Sequence, residues 1–179
     1  YNTISGTGRH AIDDRKFVGA SWRGDTGSDR NKDAVVNVVD FSQYTGTRKR
    51  SFVGGNGNAT NEIKSGDPNT TTGVITGNIR NKITAGTTGT GGNIVGVNGG
   101  GDFGTRIRSA GIDDKETAKS LAKFHVYGNI YTELTKGCFG TNRDSLDYAR
   151  AAGFGGYIEG NTTIEVGTVD WAYAGTLVS

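Results

Sequence analysis

The chain has 179 residues, enough for one domain with a core that needs no disulfide or metal support. Only 33% of the residues are hydrophobic, 31 are glycine and 21% are charged with both signs mixed, which argues against a wide helical bundle and against wholesale disorder. A net charge of +2 is too small to imply a nucleic-acid or membrane partner by itself.

The amino terminus is the first feature met. Methionine is absent throughout, and a bulky Tyr1 is a poor neighbour for removal of an initiator methionine, so the expected origin of this end is a processing cut such as secretory signal cleavage. That points to an extracellular or cell-surface location. Residues 1–12 read as a flexible or exchanged arm, and residues 13–179 as a single β-rich domain.

Strand-like segments follow at Phe17 to Trp22, Ala34 to Phe41, Arg50 to Val53, Gly73 to Ile83, Asn93 to Val97, Val126 to Leu134, Tyr157 to Glu159, Thr162 to Val166 and Thr168 to Leu177. Each is short and closed by Gly, Asn, Asp or Thr, the residues that turns require. In Gly73 to Ile83 the side chains of Ile75, Ile79 and Ile83 alternate with polar ones, the pattern of an antiparallel strand wet on one face. Val35, Val36, Val38 and Val39 place branched carbons on both faces, as a central strand covered on both sides would.

Two short helices are expected among these strands. Over about 113–124, Asp113 caps, Glu116 reaches back, and Ala118, Leu121 and Ala122 form an apolar stripe. Over about 142–152, Leu146 and Ala149 share a side and Gly153 terminates. The fold class read from the sequence is therefore mainly β: an antiparallel sandwich or barrel with two covering helices. Two three-residue repeats occur, Phe17-Val18-Gly19 with Phe52-Val53-Gly54 and Phe103-Gly104-Thr105 with Phe139-Gly140-Thr141. In a glycine-rich chain they are too short to claim a solenoid.

Signals for chemistry are weak along the whole chain. Gly99 to Gly104 satisfies G-x-G-x-x-G, but Thr105 to Arg108 reads as strand and no phosphate-binding lysine follows. His10 and His125 are the only histidines and lack zinc spacing, and nothing selects either histidine or a tyrosine as a haem ligand. Cys138 is the sole cysteine; paired with His125 it would still lack an orienting group and an oxyanion site. Glu133, Glu159, Glu165 and Asp170 lie on or beside strands, where a glycosidase pair could span a groove, and read more simply as solvent-facing positions. Arg48, Lys49 and Arg50 form the densest basic cluster, with Arg106 and Arg108 as additions, and lack interleaved aromatics. The reading is accordingly no catalytic, cofactor-binding or metal residue, and no cofactor. Asn58, Asn69 and Asn161 begin N-glycosylation acceptor sequences, which chance explains equally well in a chain this rich in Asn and Thr.

Function follows mainly from these absences. The leading expectation is a structural subunit of an extracellular assembly, such as a pilus, fibre or surface layer, polymerising with itself by β-strand addition. The first alternative is a monomeric surface or secreted module that holds a small ligand or glycan through Trp22, Tyr44 and Tyr157. The second is a capsid or tail component that sets Arg48, Lys49 and Arg50 against nucleic acid. An enzyme ranks last.

Overall fold

In a computed structural model, the described residues are 1–5, 16–20, 24–43, 50–57, 73–86, 94–102, 116, 119, 122, 124–138, 148–154, 156–170 and 176–178. They form sixteen strands: Asn2–Ser5 (β1), Lys16–Val18 (β2), Asp33–Asp40 (β3), Arg50–Val53 (β4), Asn56–Gly57 (β5), Val74–Thr76 (β6), Asn78–Thr84 (β7) and Ile94–Asn98 (β8) in the first half. Gly101–Asp102 (β9), Phe124–Tyr127 (β10), Ile130–Cys138 (β11), Tyr148–Arg150 (β12), Gly153–Phe154 (β13), Gly156–Ile158 (β14), Thr162–Asp170 (β15) and Thr176–Val178 (β16) complete the set.

Every pairing among these strands is parallel. The sheets run β1-β3-β7-β11-β15, β2-β4-β8-β12-β16, β5-β9-β13 and β6-β10-β14. The chain therefore visits four sheets in one fixed order on each pass, as β3, β4, β5, β6, then β7 to β10, then β11 to β14. This is a parallel β-solenoid, in which each coil rests on the one before at the strand spacing of about 4.8 Å. Coil length varies: the stacked residues Asn2, Asn37, Asn81 and Thr132 lie 35, 44 and 51 positions apart.

The antiparallel sandwich or barrel expected from the sequence is thus overturned. Period-two alternation records which side of a strand is buried, and it is identical whether the neighbouring strand runs with it or against it. The second of the two covering helices fails as well, and most of the first, about 113–124, lies outside the described residues. Tyr148, Ala149 and Arg150, expected in the second helix, form β12 and pair with β8, and Gly153 opens β13 rather than ending a helix. In the first segment, Glu116 and Lys119 carry helical backbone, Ala122 is irregular and Phe124 begins β10. No helix is defined as an element among the described residues. Gly73 to Ile83 and Val126 to Leu134 each divide at a corner, so each supplies strands to two sheets.

The core fills the interior of the coils. In the first sheet the inward rows are Val35, Ile79 and Ile130; Asn37, Asn81 and Thr132; and Val39, Ile83 and Leu134, all buried. Phe52, Val97 and Ala149 face them from the second sheet and are fully buried. Phe17 stacks on Phe52 with ring centroids 5.1 Å apart and planes 11° from parallel. The Phe17 and Phe52 tripeptides are therefore equivalent positions on successive coils; residues 103–105 and 139–141 lie outside the described residues. Val38, expected to be covered on both sides, is 43% exposed, because only one face of a solenoid sheet points inward.

Buried asparagines join the coils. Asn2 donates from its amide nitrogen to Asn37 Oδ1, Asn37 to Asn81 Oδ1 (both 2.8 Å), and Asn81 to Thr132 Oγ1 at 2.9 Å. The amide nitrogens of Asn2, Asn37 and Asn81 also donate to the carbonyls of Gly19, Gly54 and Gly99. A polar ladder of this kind is tolerable inside a core because the groups it buries are bonded to one another.

Candidate functional site

The surface features with the most convergent chemistry lie on either side of one corner, where β6, β10 and β14 turn into β7, β11 and β15. The corner is built by three Gly-Asn pairs: Gly77-Asn78, Gly128-Asn129 and Gly160-Asn161. Gly77 has φ +133°, a conformation that a side chain would strain. The Asn129 backbone N–H donates to Asn78 Oδ1 and the Asn161 backbone N–H donates to Asn129 Oδ1, each at 3.0 Å. The asparagines thus form a second, outward-facing ladder.

Beyond the corner, Arg80, Tyr131 and Thr163 stand in register on the outer face of the first sheet. A depression of about 200 Å³ is lined by these three residues with Asn78, Asn129 and Asn161, and is closed from below by the backbone of Ile79 and Ile130, whose side chains are buried in the core. The charges around it are matched locally. Arg80 Nε lies 2.8 and 2.9 Å from the two oxygens of Asp33, Lys82 Nζ lies 3.6 Å from Glu133, and Tyr131 donates its hydroxyl proton to Glu165. That last bond holds the Tyr131 phenol above its ordinary pKa, since the carboxylate acceptor stabilises the protonated hydroxyl.

Before the corner, β10 and β14 present an aromatic and cationic cluster. His125 and Tyr157 are register partners with rings 5.8 Å apart, and Tyr127 lies 6.1 Å from His125. Arg30 sits 4.6 Å from the centre of the Tyr127 ring and pairs with Glu159 at 3.1 Å. Lys119 lies 5.3 Å from the Tyr127 ring and 5.4 Å from the Tyr157 ring, distances at which a cation is attracted to an aromatic face. Burial lowers the His125 pKa, and the Lys119 charge lowers it further. A hydrogen bond with Tyr127 raises the Lys119 pKa.

Of the residues considered from sequence, Tyr157 falls in this cluster. His125 belongs to it as well, on the outer face of a strand. Glu133 and Glu165 are register partners on adjacent strands, and neither lines the depression. Glu159 is held by Arg30, while Asp170 pairs in register with Cys138 on the first sheet. Gly99 to Asp102 make a bend and β9. Arg50 begins β4. His10, Trp22, Tyr44, Arg48, Lys49, Asn58, Asn69, Arg106 and Arg108 lie outside the described residues, and Asn161 is exposed at the corner.

Sequence reasoning missed Arg30, Lys119, Tyr127 and the corner asparagines Asn78 and Asn129, and singled out Asn161 only as a glycosylation acceptor. A signal for the corner existed: Gly-Asn-Ile at 77–79 and again at 128–130, with Gly-Asn-Thr at 160–162. Among the described residues no group of three or more His, Cys, Asp or Glu could hold a metal ion. In the same set no helix is long and apolar enough to cross a membrane. Comparison with protein-family models, curated proteins and solved structures returned no match.

Proposed function

We propose that the chain is a structural subunit of an extracellular assembly, a pilus, fibre or surface layer, that lengthens by β-strand addition with β15 and β16 of one copy meeting β1 and β2 of the next. The observation that carries this reading is Val166. It occupies the inward row of Leu134, which is fully buried, yet it is 39% exposed. Ile164, in the inward row of Asn81 and Thr132, is half-buried. Among the described residues β15 has a partner on one side, β11, and β1 has a partner on one side, β3. A coil added there would bury apolar surface and pair backbone groups at once, and because strands lie across the solenoid axis each addition lengthens a rod.

Light scattering and negative-stain electron microscopy over a wide concentration range test the proposal. Rods whose length grows with concentration are expected. A monodisperse monomer at every concentration would overturn it.

A second reading, a monomeric surface module that holds a ligand or glycan, is favoured by the cluster of His125, Tyr127 and Tyr157 with Arg30 and Lys119. Saturable ligand binding by a stable monomer would favour it over assembly.

A further inference from the structure

The corner depression has chemistry that a rod-forming subunit does not require. Asn78 and Asn129 each commit the amide oxygen to the backbone N–H of the next coil, which fixes the plane of the amide. For Asn129 this directs the NH2 group to the corner surface; the Asn78 NH2 lies 3.4 Å from Asp33 Oδ1. Two positions further along each coil come a guanidinium, a phenol ring and a hydroxyl, from Arg80, Tyr131 and Thr163, in one register row. The depression between the two rows has a volume of about 200 Å³, and Ile79 and Ile130 close it from below with their backbone, their side chains being buried in the core.

We infer that this groove binds a neutral linear saccharide, with one pyranose ring seated in the depression and the chain running along the solenoid axis. Size is the first argument. Pockets that enclose a whole small molecule have volumes of roughly 300–1,000 Å³, so a smaller depression open to the surface suits one ring of a polymer. The lining is the second. A fixed amide donor on Asn129, a hydroxyl on Thr163 and the aromatic ring of Tyr131 match a sugar ring, which offers hydroxyls at its rim and C–H groups on its faces. Charge is the third: Arg80 is matched by Asp33 and Lys82 by Glu133, so the described residues around the depression hold no surplus positive charge to select a phosphate or another polyanion. Periodicity is the last. Coils repeat at about 4.8 Å, close to the advance of one pyranose along its chain, so successive coils meet successive rings.

The test uses the full chain from a host that does not glycosylate Asn161, titrated with neutral gluco-, manno- and galacto-oligosaccharides of two to six rings. The matching oligouronides and inorganic phosphate serve as controls. Binding is read by calorimetry and by the side-chain amide resonances of Asn129 and Asn161. The expected result is saturable binding of at least one neutral series, tighter with chain length, that shifts the Asn129 NH2 signals. Tyr131→Ala should weaken it by about tenfold, the loss of one stacking contact. If Tyr131→Ala lowers the melting temperature, Thr163→Val and Arg80→Gln provide independent tests. No shift of the Asn129 signals with any neutral series overturns the inference. So does binding confined to uronides or phosphate and abolished by salt, or binding that all three variants leave unchanged.

Discussion

Asn37 donates a hydrogen bond from its side-chain nitrogen to Asn81 Oδ1 at 2.8 Å, across one step of the solenoid and inside the core. The same nitrogen reaches the Gly54 carbonyl, also at 2.8 Å, so one amide ties two coils together and holds the bend after β4 against the first sheet. Replacing Asn37 by Ala removes the acceptor used by Asn2 and the donor used by Asn81 and Gly54. A loss of about 3 kcal/mol is expected, because the partners remain buried without bonds. Urea unfolding checks it, and a loss well under 1 kcal/mol would show that the ladder is replaceable.

Gly54 lies against this ladder. A Cβ there would collide with the Gly99 carbonyl oxygen and with the Asn81 amide, neither of which can move without breaking the stack. Gly54→Ala is therefore expected to destabilise by about 2 kcal/mol through overpacking. Thermal melting of this variant beside wild type is the measurement, and an unchanged midpoint would contradict the close approach.

His125 carries a pH dependence whose sign is determined. Its folded-state pKa is lowered below 6.5, first by burial and then by Lys119, so the unfolded chain takes up its proton before the folded one does. The stability contributed by keeping this ring neutral is present above the unfolded pKa and is lost as pH falls through the lowered folded value. Proton NMR should find His125 titrating below 6.5. Lys119→Gln should return only the smaller part of the shift, because burial is the larger cause. A normal His125 midpoint in the wild-type protein would refute the packing described for this cluster.

Val166 tests assembly separately from stability. Val166→Asp places a charge on the apolar row that the proposed contact would cover, where a buried unpaired carboxylate is costly. Rods should shorten or vanish by electron microscopy while far-UV circular dichroism stays unchanged, since Val166 is already partly exposed. Rods of undiminished length would place the contact elsewhere.

Much of the strand content was legible before any coordinates. Ala34 to Phe41 corresponds to β3, Arg50 to Val53 to β4 and Thr162 to Val166 to β15, because alternating burial is imposed residue by residue on any half-buried strand. What those strands pair with is a different kind of information. Asn37 and Asn81 are 44 residues apart and Asn81 and Thr132 are 51, and coils of unequal length hide the repeat from inspection at a fixed period. The Phe17 and Phe52 match was visible, but only their 5.1 Å stacking makes it a coil spacing.

The candidate site divides the same way. Composition and local pattern determined that this chain is built of many short strands, with Gly and Asn at several of its turns. Tertiary structure decided that the strands run parallel and that Asn78, Asn129 and Asn161 share one corner. It also decided that Arg30, Lys119, Tyr127 and Tyr157 meet on one face. The reason is physical: burial alternation and turn chemistry act over a few residues, whereas the direction of a neighbouring strand and the company a side chain keeps depend on segments dozens of residues away.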